Sequence, residues 1–479
     1  MRKALIAFVL LFTLCIGGAV AVAVDVNSVR DQVIFTEEVV FGDKSAVEGL
    51  TIRAEAALDN GHLNWNSTHT IGAENTTDTE YFFSAERPDR PVNYEPFGLM
   101  LSNSGVRAHW DWDEAESADE LSGLSLAYWE LMQCAPDGEE VERTIRLADY
   151  YDYYPLEISV ELPNYYMDIT DSRYDKSYGT PVTEAQLDNM KQLYEALTDC
   201  LKIPVLPHET MEISLTRSGD HVYSWGSGSG AGERYHSYSL SAVTDDAFYF
   251  TIYNRSNEDN LMDMSRLAGG FGIYRVPYRY SETDTTTMTE PDKLEMVYPL
   301  DEECVVSWLA TTTDGSRLIL ITQEVNGDYL LRIIDCFSME ILQEEVLYNE
   351  EEEYGPYAHD CREDYILIRT SNGGIILFEE VGDGTFTRKL DLNPTEEEML
   401  SPGFHTTHWD GERLVLAYPL SYLDNDDNEN CGFGVAVYDE SGALFVGRYR
   451  SSLDTRTWAW WSGDNCYLWS DDCLHILWR

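Results

Sequence analysis

Ala310-Thr-Thr-Thr-Asp-Gly-Ser-Arg-Leu-Ile-Leu-Ile-Thr322 is the stretch from which the architecture of this chain can be read. A short strand ends in small residues, Asp314-Gly315 supplies a turn, and a strongly apolar strand follows. Gly accepts the positive φ of a tight hairpin turn and Asp bonds its own backbone, so the pair marks a reversal of direction. The pattern recurs at 242–253, 358–370, 406–418 and 459–470, with starts spaced 68, 48, 48 and 53 residues apart. After each of the first four comes more strand sequence, at 273–280, 331–346, 375–390 and 435–449. The third and fourth carry hairpin signals, Gly382-Asp383-Gly384 and Glu440-Ser441-Gly442. One unit is therefore about four short strands in about 48 residues.

This repeat resembles the β-propeller family over roughly 210–479, although no Gly-His or Trp-Asp mark assigns it to a subfamily. The resemblance implies antiparallel blades and says little about activity; a set of β-sandwiches is the rival architecture. The last unit stops at Arg479 after two strands, so a closed ring would need its missing strands from upstream. Residues 213–225 resemble the repeat opening and read as a partial blade. Upstream, 51–58 and 62–65 read as a hairpin around Asp59-Asn60-Gly61, and Leu156, Ile158, Val160 and Leu162 alternate as a half-buried strand does. Gly42-Asp43-Lys44-Ser45 through Trp65, together with Asp149 through Pro155, resembles membrane-anchored proteins of Gram-positive bacteria without a known activity.

One helix is expected at 183–201. Thr183 and Gln186 form a capping box, and Leu187, Met190, Tyr194, Leu197 and Leu201 share one face, suited to packing on a sheet.

At the N-terminus, Arg2 and Lys3 precede an uncharged run from Ala4 to Val24. As a helix the run reaches about 31 Å, enough to span the hydrocarbon core of a bilayer. Positive charge before it keeps the short end in the cytoplasm. The expected organisation is a cytoplasmic stub (1–3), a transmembrane signal anchor (4–24), a β-rich region (25–207) with the helix inserted, and propeller-like repeats (208–479). The bulk is then extracytoplasmic on a single-pass cell-membrane protein, or secreted if Ala21-Val22-Ala23 is a cleavage site.

The formal net charge is −54. Nucleic-acid binding needs Lys and Arg to neutralise phosphates, so nucleic acid is excluded as a partner, and the membrane is reached only through the N-terminal helix. Eight cysteines lie outside the anchor with no CxxC pair, which gives no support for zinc ribbons or thioredoxin-like chemistry. They permit up to four disulfides, and several can equally be buried thiols.

Candidate sites are few. His405, His408 and Asp410 could form a transition-metal set, two imidazoles three residues apart with a carboxylate. Asp424, Asp426 and Asn428 open like a calcium loop, but Glu429 takes the glycine place and Val435 the final ligand place, leaving only a non-EF calcium site. Trp110 and Trp112 beside Asp111 and Asp113 could stack and orient a sugar. His208-Glu209 lacks the second histidine of a zincin, and 226–232, with alternating glycines, reads as a flexible loop. No catalytic motif is complete and no cofactor is called for. The expected function is a tethered binding, sensor or scaffold module for a cell-surface or membrane protein, a peptide or a glycan. The alternative is an extracytoplasmic hydrolase of glycans or peptides using dispersed carboxylates.

Overall fold

The computed structural model describes residues 12–18, 20–21, 24, 34–58, 63–83, 98–102, 117–154, 157–162, 165–168, 176–177, 183–219, 221–229, 239–252, 263–281, 286–349, 356–370, 372–382, 384–399, 406–420, 430–454 and 474–478. Those of the apolar run 4–24 that it describes are helical. Among the described residues no helix is long and apolar enough to cross a membrane. The fold is mainly β, in antiparallel sheets.

The chain divides into two compact units, Met1–Val92 with Asp364–Arg479, and Asn93–Glu363. The first unit joins the beginning of the chain to its end. Its first four strands are β1 (Phe35–Gly42), β2 (Thr51–Leu58), β3 (Leu63–Thr70) and β4 (Thr76–Phe83). β1 pairs with Gly442–Asp454 as the outer strand of a five-stranded sheet that continues through Asn430–Asp439 and Leu414–Pro419 to Thr406–Trp409. The final strand, Leu474–Leu477, pairs with β2, and β3 and β4 follow to make four. Upstream strands thus pair with Leu474–Leu477, while the repeat opening at 459–470 lies outside the described residues. Gly42 makes the close approach: its φ is +78°, and a Cβ there would stand 2.0 Å from the Leu444 carbonyl oxygen. The unit also holds the consecutive strands Tyr365–Arg369, Ile375–Glu380 and Phe386–Leu392.

The second unit carries the repeat at 310–322 as a four-stranded meander: Val305–Thr311, Arg317–Gln323, Asp328–Asp335 and Ile341–Asn349. The sheet Ser239–Val243, Ala247–Ile252 and Gly272–Ser281 precedes it, with Thr286–Thr289 and Glu295–Pro299 both paired to the last of these. The turns form as their residues dictate. Thr312 Oγ1 donates to Asp314 and accepts from the Arg317 amide, and Thr244 does the same with Asp246 and Ala247. Strands Ala247–Ile252 and Arg317–Gln323 are covered on both faces, so they are continuously apolar instead of alternating. First strands of successive sheets lie side by side: Gly98–Ser102 by Ser239–Val243, that strand by Val305–Thr311, and that by Tyr357–Cys361. Thr311 Oγ1 donates to the Val243 carbonyl and the Thr313 amide to the Cys361 carbonyl, which ties these neighbours.

The partial blade at 213–225 is a hairpin, Thr210–Ser218 with His221–Ser229, flanked by Glu140–Arg146. Residues 226–229, expected in a flexible loop, are instead strand, because Met211–Ser214 pairs them in register. A backbone template overrides the low strand preference of Gly and Ser.

The helix Glu184–Leu201 begins at the expected capping box. Met190, Leu197 and Leu201 are buried as expected, Leu193 joins them, and Leu187 and Tyr194 are half-buried. The face lies on Thr286–Thr289. A second helix, Gly123–Cys134, was not expected. It buries Leu124, Ala127, Tyr128, Leu131 and Met132 and is apolar on several sides, so no single stripe betrays it. The tyrosine run holds it: the Leu124 amide donates to Tyr151 Oη at 2.6 Å and Tyr150 Oη donates to Glu130 at 2.8 Å. Burial pushes both phenols up to about 12. Cys134, Cys200, Cys336 and Cys361 are free thiols.

Candidate functional site

Most residues singled out from the sequence lie outside the described residues: Trp110, Asp111, Trp112, Asp113, His405, Asp424, Asp426 and Asn428. His408 is half-buried in Thr406–Trp409, opposite Val415. Asp410 is taken up by its turn: Oδ1 accepts from the Glu412 and Arg413 amides and Oδ2 from the Arg413 guanidinium. Burial pushes its pKa up, but those amides and the guanidinium outweigh it and hold the carboxyl below the usual range. No group of three or more His, Cys, Asp or Glu suited to a metal occurs among the described residues.

The feature that stands out is a turn in the second unit. Phe337, between Asp328–Asp335 and Ile341–Asn349, is 99% exposed. Asp335 Oδ1 accepts from the Phe337 amide at 3.1 Å, the Ser338 amide at 2.7 Å and Ser338 Oγ at 2.9 Å. The Met339 amide donates to the Asp335 carbonyl, and Met339 takes φ 57°, the left-handed conformation that closes the turn. Cys336 and Met339 on either side pack against the core, while the Tyr249 hydroxyl and the Ser316 carbonyl bind the Cys336 backbone. A fixed turn of this kind holds the phenyl ring out in water at an unfavourable cost of roughly 2 kcal/mol.

The surroundings are acidic. Burial pushes the Cys336 thiol up to about 12, and the carboxylates of Asp335, Asp314 and Asp246 reinforce the shift against Arg275. Hydrogen bonds from Ser338 hold Asp335 below the usual carboxylate range. Asp314 is buried enough to be raised, yet Ser316 and Thr312 pull it down. Both therefore remain ionised at neutral pH. Along Ile341–Asn349, Ile341, Leu342 and Val346 are also exposed, beside exposed Glu340 and Glu344. Two bulges interrupt the pairing of this strand, which blunts it as a template for another strand. The turn, more than the strand edge, stands out from the surface. Its sequence signal is an Asp335–Ser338 turn pattern enclosing a large aromatic, a pattern shared with many ordinary turns.

No known family and no curated protein matches the chain. Among solved structures, the periplasmic gluconolactonase PpgL of Pseudomonas aeruginosa is similar at 10% identity and a TM-score of 0.29, over 84% of this chain and 95% of that one. The β-propeller domain of Myceliophteria thermophila Cps50 is similar at 11% identity and 0.24, over 53% and 83%. Prolyl oligopeptidase B of Galerina marginata is similar at 12% identity and 0.27, over 86% and 53%. Similarity this low carries no argument about chemistry, and the resemblance to membrane-anchored Gram-positive proteins gains nothing from it.

Proposed function

We propose that the protein is a membrane-tethered, extracytoplasmic binding module that docks a partner protein through the Phe337 turn. The observation that carries the reading is the 99% exposure of a phenyl ring on a turn whose backbone amides, Cys336 to Glu340, are all hydrogen-bonded. An exposed aromatic on a backbone fixed in advance suits a hot spot, since little backbone freedom is left to lose on binding and only the phenyl rotamer must be ordered. The carboxylates of Asp314, Asp335 and Glu340 around it fit an apolar socket rimmed by Lys or Arg. Tethering rests on the run 4–24 and the charges before it. The four-stranded sheets, with first strands side by side, support reading them as propeller blades, a scaffold that presents its turns at the surface. The hydrolase alternative gains no observation. Among the described residues, Asp314, Asp335, Glu379 and Asp410 are all shifted down, where a general acid needs a raised pKa.

A photo-crosslinking residue placed at 337 in the full-length protein, in its native membranes, tests the reading. A control residue at 325, whose valine is also an exposed turn residue, gives the background. One partner should cross-link at 337 and not at 325, with a yield that falls as salt rises. With that partner purified, Phe337→Ala should weaken binding about thirtyfold, the loss expected of an anchor worth about 2 kcal/mol. Equal yields at both positions, or undiminished binding by the alanine variant, would sink the proposal.

A further inference from the structure

The beginning of the chain closes on its end through one buried histidine. His69 on β3 is 1% exposed. Its ring lies 5.1 Å from Phe35 on β1, 5.1 Å from Tyr449 and 5.8 Å from Phe433. Phe433 and Tyr449 stack on each other at 5.0 Å, on the two strands that β1 extends. Nδ1 shares a hydrogen with Thr77 Oγ1 of β4 at 2.8 Å. Nε2 is buried and has no hydrogen-bond partner among the described residues.

The charged groups that act on this ring are Glu37 of β1 and Lys44 of the short helix after it. Glu37 is already engaged: Oε2 accepts from Lys44 Nζ at 2.6 Å and Asn75 Nδ2 at 3.2 Å, and Oε1 accepts from Tyr449 Oη at 3.1 Å. The Tyr449 phenol, raised by burial, does not ionise in the range considered below. A neutral imidazole suits the box. An imidazolium would carry a second N–H with no acceptor, and a full charge out of water, next to a carboxylate that Lys44 already balances.

We infer that His69 is an acid-sensitive latch, whose protonation frees β1 and the β3–β4 hairpin from the strands Asn430–Asp439 and Gly442–Asp454. The inference is independent of the Phe337 docking surface, which lies in the other unit. Burial, the largest cause, holds His69 at about 4 when closed, while Glu37 pulls it up and Lys44 pushes it down. An opened ring regains an ordinary value of about 6.5. The open state therefore binds the extra proton, so the latch is firm above pH 6.5 and weakens as pH falls towards 4, below which no further loss arises from this group. At pH 5 the opening equilibrium should have shifted about thirtyfold relative to pH 7.5.

Hydrogen exchange of the full-length protein, corrected for the intrinsic pH dependence, reads this shift. Between pH 7.5 and 5, amides of 35–42 and 63–83 should lose about thirtyfold in protection, while those of 317–335 hold. His69→Phe keeps the aromatic box without a titrating group and should flatten the response. His69→Gln serves the same purpose if the phenylalanine variant does not fold. Proton NMR of the His69 ring in the native protein gives an independent reading, with a midpoint expected below pH 5. A ring titrating near 6.5, or equal acid loss in wild type and both variants, would overturn the latch.

Discussion

Asn189 shows how much one side chain can hold. It sits on the buried face of the helix Glu184–Leu201, where an apolar residue would be expected, and is 7% exposed. Its Nδ2 donates to the Thr289 carbonyl at 2.9 Å, and its Oδ1 accepts from the Thr289 amide at 2.8 Å and from Thr289 Oγ1 at 2.9 Å. The amide group stands in for a neighbouring strand beside Thr286–Thr289. Asn189→Ala leaves a buried donor and acceptor of Thr289 unpaired, so about 3 kcal/mol should be lost in urea unfolding. A loss under about 1 kcal/mol would mean that water replaces the amide. Nothing in the local sequence marks Asn189, because its partner lies a hundred residues away. Phe337 and His69 were illegible for the same reason: exposure and enclosure are set by residues far along the chain.

Elements were legible where local chemistry decides them. Thr183 Oγ1 accepts from the Gln186 amide at 3.2 Å, and Gln186 Oε1 accepts from the Thr183 amide at 3.1 Å, as the four-residue pattern predicts. Thr183→Ala should cost about 1 kcal/mol, and Thr183→Ser should restore most of it. If both variants unfold with wild type, the helix end is held by its packing on Thr286–Thr289 and the box is incidental. The turns at Thr244, Thr312 and Asp410 were legible by the same logic, since each hydrogen bond is made within five residues. Gly123–Cys134 was not, because its capping phenol comes from Tyr151 and its apolar sides have several partners. The strand 226–229 was not either, since its identity comes from Met211–Ser214.

At the scale of the molecule, the repeat foretold the antiparallel sheets and the need for upstream strands, but not which strands would supply them. The answer depends on matching β2 to the last residues of the chain. Thr51 pairs with Leu477, Ile52 with Ile476 and Ala54 with Leu474, and Leu474 is buried. The Leu474 carbonyl accepts from Thr406 Oγ1 at 3.0 Å, and the Arg413 guanidinium lies 4.1 Å over the Trp478 ring. A chain stopped after residue 473 would strip β2 of one of its two neighbours, empty the Leu474 site and remove the ring on which Arg413 lies. Loss of a buried leucine alone is worth about 3 kcal/mol. The first unit should therefore lose at least a hundredfold in amide protection over 51–70 and 414–449. The second unit, Asn93–Glu363, has its own core and should keep the protection of 317–335. Hydrogen exchange on the truncated and full chains distinguishes the outcomes. Loss confined to the first unit means that the two ends of the chain build one cooperative body. Equal loss in both would mean that cooperativity runs through the whole chain, and no loss would mean that β2 needs no partner from the C-terminus.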